Sequence, residues 1–408
     1  MWGTLGQGSE LLRTRLEGRW RRLSSPFLQR FRMFGERNRL FYDRRMEFAP
    51  TERVTLGIEW ELALVDPTSG DLTGRANEII AEVDNARVVG EFLTNTIELV
   101  TDVHHTVGDA VQDLRDLRAQ FAAAAAKSGV AAIGVGTHPF ADWKLQTVTP
   151  AERYMRVADR ARDWGRQLSI WGVHVHVGIP SKDSVIPTMH ALLANYSWLL
   201  AMSVSSPYWD GQDTGFASHR TMLFQQLPTG GLPPVLETWA DYERTLEGML
   251  HGEVVLDAHE LRWDVRPAPH FGTLEVRIAD GLPSLFDIGA NAAFTQCVVE
   301  ESLRAIDEGR QPMRLPDWAV RENKFRAARW GFDTKFIISA DGRQEGGRES
   351  LARRIDELMP IARDLACEGE LVAALAIVEN TPADRQRASM RTGGKVGMID
   401  SLRAEMLR

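Results

Sequence analysis

The chain has 408 residues, 44% hydrophobic and 25% charged, so it can bury a sizeable core, and one large or two modest domains are expected. A net charge of −8 argues against a nucleic-acid surface, and two cysteines, Cys297 and Cys367, exclude both a disulfide framework and a cysteine-rich zinc site. That cysteine usage fits a reducing cytoplasm. The charge is uneven: residues 1–50 carry 11 Lys/Arg against 5 Asp/Glu, leaving residues 51–408 at −14. This stretch reads as a basic N-terminal arm without the apolar run of a secretory signal. It is expected to be an accessory arm, or an over-extended translation start with Met46 as the working one.

Beyond the arm, Val54–Val65 alternates as a half-buried strand does. Val54, Leu56, Ile58, Trp60, Leu62 and Leu64 make a wholly apolar face; Thr55, Gly57, Glu59, Glu61, Ala63 and Val65 make the other. A turn follows at Asp66-Pro67-Thr68-Ser69-Gly70, then a helix over 78–83 and a strand over 92–100 that contains Glu98. Apolar residues at helical spacing predict a helix over 106–127, ended by Gly129. A short buried strand over 130–136 leads to Thr137-His138-Pro139-Phe140. Thr149-Pro150-Ala151-Glu152 reads as a capping box opening a helix to about 165.

Residues 171–179 form the strand with the sharpest division. Trp171, Val173, Val175, Val177 and Ile179 share one face, and Gly172, His174, His176 and Gly178 the other. The run from 184 to 209 has no charge, but His190, serines and two prolines interrupt it, so it predicts a buried helix rather than a membrane span. Residues 205–235 are rich in Gly, Pro, Ser and Thr, a loop long enough to suggest function. After a helix over 237–250 come two more polar-faced strands, 259–266 and 273–279. The first sets Glu260, Arg262, Asp264 and Arg266 on one face; the second sets Thr273, Glu275, Arg277 and Ala279 there. Helices are expected over 285–307, 317–330, 349–366, 368–378 and 394–407.

Half-apolar strands interspersed with helices predict an α+β fold with an antiparallel-rich sheet. Helices would cover the apolar face, and the polar face would be a basin. Glu59 and Glu61, about 7 Å apart on one strand, repel by ~2 kcal/mol at an effective dielectric near 20. Solvent can dissipate that cost, or a divalent cation can reverse its sign. Carboxylates beside imidazoles suit Mg2+ or Mn2+, and arginines such as Arg277 and Arg266 suit phosphate oxygens. Together these are the ingredients of phosphoryl transfer from a nucleotide, although no P-loop or kinase glycine loop is present.

Gly57-Ile58-Glu59-Trp60-Glu61, Gly172-Val173-His174-Val175-His176-Val177-Gly178, Ser206-Pro207-Tyr208-Trp209-Asp210-Gly211, Arg266-Pro267, Gly272-Thr273-Leu274-Glu275-Val276-Arg277 and Glu322-Asn323-Lys324-Phe325-Arg326 resemble, in that order, the glutamate–cysteine ligase type 2 family. The likeness covers roughly residues 52–380. It implies a glutamine synthetase-like catalytic fold, a curved antiparallel sheet whose open concave face holds ATP and divalent metal. It further implies that ATP phosphorylates the side-chain carboxylate of glutamate and that an amine, in the family that of cysteine, displaces phosphate. Under the resemblance Glu59, Glu61, Glu98, His174 and Glu275 are metal ligands, His176 a phosphate contact, and Arg277 and Arg266 phosphate-binding catalytic residues. Glu91 stands seven residues before Glu98 and so faces away on a continuous strand; it is a metal candidate only if a turn intervenes. Arg220 is a candidate clamp for a substrate carboxylate, and His138 a candidate contact for the amine.

The expected organisation is a basic arm over 1–50, a catalytic domain over 51–380 and a helical tail over 381–408. The expected partners are small molecules, ATP, glutamate and an amine, with no nucleic acid, no membrane span, and self-assembly left open. Two other readings stay open: a metal-dependent hydrolase, and a nucleotide- or amino-acid-binding protein without turnover.

Overall fold

Alternation between faces is what builds the central sheet. In the computed structural model, which describes residues 48–407, the apolar sides of three long strands meet and exclude water. The strands are β1 (Leu56–Val65), β2 (Val88–Gly90), β3 (Thr96–Val100), β4 (Ala131–Ile133), β5 (Gly172–Gly178), β6 (Val265–Ala268) and β7 (Thr273–Asp280). They run in the order β6-β7-β5-β1-β3-β2, with β4 pairing the far end of β1, and every pairing is antiparallel. Leu56, Ile58, Trp60, Leu62, Val173, Val175, Val177, Leu274, Val276 and Ile278 are all at most 2% exposed. Helices α1 (Val107–Lys127), α2 (Lys182–Ala194), α3 (Tyr196–Ser203) and α4 (Leu285–Asp307) pack on the sheet. Among the described residues, no helix is long and apolar enough to cross a membrane.

Several expected elements are divided by features that sequence periodicity does not carry. The strand expected over 92–100 shortens to β3, which pairs across a turn at 91–95 with β2, a strand that precedes the expected range. Thr149 caps no helix: its hydroxyl donates to the Glu91 carbonyl at 2.7 Å, and the helix Glu152–Ala161 starts after Ala151 without a side-chain cap. That helix breaks at Arg162, whose φ is 50°. The uncharged run forms two helices, α2 and α3, separated at Asn195. The long loop contains the two-strand ribbon Tyr208–Asp213 and the helix His219–Phe224.

The strand expected over 259–266 is replaced by a 3-10 turn at Ala258–Glu260, a short strand Arg262–Trp263, and then β6. Asp264, at the break, leaves the polar face. Its buried carboxylate meets Lys324 Nζ at 2.7 Å and the Tyr196 hydroxyl at 3.1 Å.

The segment 381–408 is no separate tail. Helix α5 (Pro382–Met406), opened by a Thr381–Asp384 capping box and kinked at Gly394, delivers Met398, Ile399 and Leu402 to a core with Ala63, Val65, Ile133 and Trp171. Ala49–Arg408 form one compact unit. The basic arm lies outside the described residues.

Candidate active site

The register of the ladder decides which polar side chains meet, because residues directly opposite one another share a face. One row across the sheet reads Arg266, Glu275, His176, Gly57. The next places His174 opposite Glu59, and a third places Glu61 opposite Glu98. β7 carries a bulge between Val276 and Ala279, where two residues, Arg277 and Ile278, stand against His174 alone. Arg277 therefore lies beside His174, with its Nη1 3.4 Å from the imidazole Nδ1. The bulge also inverts the parity beyond it. Strict alternation from Glu275 would put Ala279 on the polar face; instead Ala279 pairs with Val173, and Asp280 stands opposite Gly172.

Glu59 is the hub. His174 Nδ1 lies 2.8 Å from its Oε2 and His176 Nε2 lies 3.2 Å from its Oε1. With His174 Nδ1 donating to Glu59, the lone pair on Nε2 is free, buried and without a hydrogen-bond partner; it lies 3.8 Å from Glu61 Oε1. His176 Nδ1 is 3.0 Å from the Thr273 hydroxyl, and its Nε2 also lacks a well-formed hydrogen bond. Two sets of donor atoms fall within 4.8 Å of one another: Glu59, Glu98 and His174, and Glu59, His176 and Glu275.

The electrostatics divide the acids into two kinds. Burial pushes the Glu61 carboxyl up to about 7, with Glu91 adding to the effect. Burial, then Glu59, Glu91 and Glu61, hold Glu98 well above the ordinary carboxylate range. Burial raises Glu59 as well, but the bonds from His174 and His176 outweigh it and keep this acid ionised. Burial acts on Glu275 in the same sense, and Arg266, Arg277 and His176 overcome it. Burial and the nearby Arg277 bring His174 down to about 4, so it is a neutral imidazole. A cluster of four carboxylates, two forced toward protonation, beside an unpartnered imidazole nitrogen is a donor set that a divalent cation fits.

Glu275 is distinct from the other acids. Arg266 Nε donates to its Oε2 at 2.5 Å and Arg277 Nη1 donates to its Oε1, so its charge is already balanced. Arg266 Nη1 is further held by the carbonyls of His259 and Leu261. Glu91 does join the cluster electrostatically, since the turn after β2 separates it from Glu98 and its charge raises both Glu61 and Glu98. Arg220 is buried beside Gly172.

His138 is a correction. Its Nε2 donates to the Gly70 carbonyl at 2.9 Å and its Nδ1 accepts from the Ala141 amide at 2.9 Å, so both ring nitrogens hold the turn and none is left for an amine. Three residues with no assigned role in the sequence reading also border the site. Arg262 is lowered to about 10 by burial and by Arg277. Phe271 sets its ring edge-on to His176 at 5.9 Å. Asp280 sits on the polar face for the reason given above, and only the bulge would have revealed it.

The antiparallel sheet with its acid–imidazole–guanidinium rows belongs to a chain whose relatives set its class, an ATP-dependent carboxylate–amine ligase with the glutamine synthetase-like fold. The chain belongs to the glutamate–cysteine ligase family 2, whose family model matches residues 55–401. A protein of Leifsonia xyli subsp. xyli named "Putative glutamate–cysteine ligase 2" is 43% identical over 373 residues, covering 89% of this chain and 98% of that one. One of the same name from Mycobacterium tuberculosis is 43% identical over 368 residues, with the same coverage of 89% and 98%. Among solved structures, glutamate–cysteine ligase of Francisella tularensis in complex with AMP superposes with a TM-score of 0.65 at 14% identity, over 88% of this chain and 90% of that one. A bifunctional glutathione synthetase of Pasteurella multocida gives 0.58 at 16% identity, over 87% of this chain and 52% of that one.

Proposed function

We propose that the protein uses ATP to activate the side-chain carboxylate of glutamate and joins it to the amine of cysteine or a related amine. The observation that carries this reading is the Glu59 hub: one ionised acid shared by two imidazoles, amid three further acids, on a face that also holds Arg266 and Arg277. The AMP complex of the Francisella tularensis relative supports a nucleotide substrate.

In the proposed reaction a carboxylate oxygen of glutamate attacks the γ-phosphorus of ATP, the bond to the β-phosphate oxygen breaks, and ADP leaves. The amine then attacks the acyl phosphate, and phosphate departs as the amide forms. Glu59, Glu61, Glu98 and His174 would hold Mg2+ or Mn2+, with Glu91 as an outer acid and Glu275 tied to its arginines. When bound, that cation supplies charge neutralisation for the phosphate oxygens. His174 Nδ1–H fixes the orientation of Glu59, and Glu59 keeps His174 in the tautomer whose Nε2 faces the cluster. Arg277, anchored on Glu275, presents a partly buried guanidinium whose buried Nε has no partner among the described residues, a donor suited to a transferring phosphoryl oxygen. Burial lowers His176, but Glu275 and Glu59 outweigh it and raise it above the ordinary imidazole range, so it is more readily protonated than His174.

The test is ADP release with Mg2+, ATP, glutamate and a panel of amines, cysteine first. Release that requires both glutamate and an amine supports the reading. Release that ignores glutamate, or hydrolysis of amides without ATP, refutes it.

A further inference from the structure

Asp264 and Lys324 are only 3% and 4% exposed, and the reaction above gives neither a part. The Asp264 carboxylate accepts from Lys324 Nζ at 2.7 Å and from the Tyr196 hydroxyl at 3.1 Å. Burying an ion pair carries a desolvation cost that an apolar pair of similar volume escapes, so net stability does not explain its presence here. The best-attested use of a buried polar group is to fix a register.

A register is what Asp264 adjoins. At the β7 bulge the ladder to β5 is broken, and Arg277 and Ile278 are left facing His174. On its other side β7 is held for one residue longer. β6 pairs Val265 with Val276, and just before it the Asp264 carbonyl accepts the Arg277 amide at 2.8 Å. The amide of the bulged arginine thus hangs on one carbonyl, and the residue that offers it sits at a break between two short strands. The Asp264 amide donates to the Gly231 carbonyl at 2.7 Å, which fixes one side of that residue. Its carboxylate fixes the other. Both braces are firm: Tyr196 opens α3, which is buried throughout, and Lys324 lies on the helix Asp317–Trp330. The adjacent Asn323 locks that helix to the strand Lys335–Ile337, donating to the Ile337 carbonyl and accepting its amide, both at 2.8 Å.

We infer that Asp264, braced by Lys324 and Tyr196, is the positioning residue that holds the β7 bulge and so aims the Arg277 guanidinium between Glu275 and His174. The functional half of this rests on the reading of Arg277 as a phosphate contact. The test uses the full chain with Lys324→Met and Asp264→Leu together, a pair that removes both buried charges and leaves none unpaired. Two quantities are measured: the KM values in ADP release with Mg2+, ATP, glutamate and cysteine, and amide hydrogen exchange of the segments 273–280 and 172–178.

The KM for ATP should rise by about tenfold or more, because a misplacement of about 1 Å is enough for such a loss, and the KM for glutamate should move far less. Exchange in 273–280 should quicken by about tenfold while 172–178 keeps its wild-type rate, the mark of a local opening. A purely structural role would lower the amount of active enzyme and leave both KM values alone. Should the double variant fail to fold, Tyr196→Phe removes one brace and no charge, and should move the same two quantities by about twofold to threefold. A folded variant that keeps the wild-type KM for ATP and the wild-type exchange of 273–280 overturns the inference, as does a loss of activity at unchanged KM. Faster exchange in 273–280 with an unchanged KM for ATP instead upholds the bulge anchor and overturns the reading of Arg277 as a phosphate contact.

Discussion

Glu59→Gln replaces the shared acid with a neutral amide of the same shape. Its Oε1 can still accept the His174 Nδ1–H now bonded at 2.8 Å, so the local geometry survives. Loss of the charge weakens the contact to His176 but also removes repulsion of ~2 kcal/mol from a carboxylate some 7 Å away. These effects oppose each other, and the metal-free variant should lie within ~1 kcal/mol of the wild type. The effect belongs to the cation. Mg2+ at about 100 times its Kd stabilises a protein by about 2.7 kcal/mol. For a cooperative unit the size of Ala49–Arg408, at about 2.1 cal/mol/K per residue, that is a rise in Tm of about 3–4 °C. Thermal melts with and without Mg2+ should show this rise in the wild type and not in Glu59→Gln, and ADP release should fall by about 10²-fold or more. A variant that keeps both the Mg2+ shift and its turnover would show that Glu59 is no part of the site.

His138 provides a pH test away from the acids. Its folded value of about 4 lies below the ordinary value of 6.5, so the unfolded chain binds the proton first as pH falls. Its contribution is full above about 6.5 and lost progressively down to about 4; between pH 7 and 5 the loss is about 2 kcal/mol. Urea unfolding of His138→Gln should lack that part of the acid-side slope, and an unchanged slope would contradict a neutral, turn-holding imidazole. Lys324→Met leaves the Asp264 carboxylate buried with only the Tyr196 hydroxyl, and should cost ~3–5 kcal/mol in denaturant unfolding. The double change Lys324→Met with Asp264→Leu should recover most of that loss; a single variant of wild-type stability would mean the pair contributes nothing. Arg277→Ala removes one of the two guanidiniums on Glu275 and should abolish measurable ADP release while circular dichroism stays native. Retained turnover would take Arg277 out of the phosphate grip.

The faces of β1 and β5 were legible from sequence, since strict alternation leaves an extended chain no other way to hide Ile58, Trp60, Val173 and Val175 while keeping Glu59 and His174 together. The helices α1 and α4 were legible for the corresponding reason at a period of 3.6. Parity fails where the backbone departs from a regular strand. At the β7 bulge it exchanged Ala279 for Asp280, and at the break before β6 it placed Asp264 in the basin when that acid pairs with Lys324 behind it. Glu91 entered through a turn, and Thr149 turned from a cap to a loop tie on the Glu91 carbonyl.

Residue types and spacing were thus enough to put candidate acids, imidazoles and guanidiniums on one face of the strands, because face periodicity is a local property of the chain. Which atoms are spent and which are spare was decided only in three dimensions. His138 lost both nitrogens to the backbone of distant Gly70 and of its own turn, while Glu275 lost its free charge to two arginines. Arg220 and the Nε2 of His174 kept donors and lone pairs unused. Hydrogen-bond saturation depends on what the folded chain brings within 3 Å, and no local pattern encodes that.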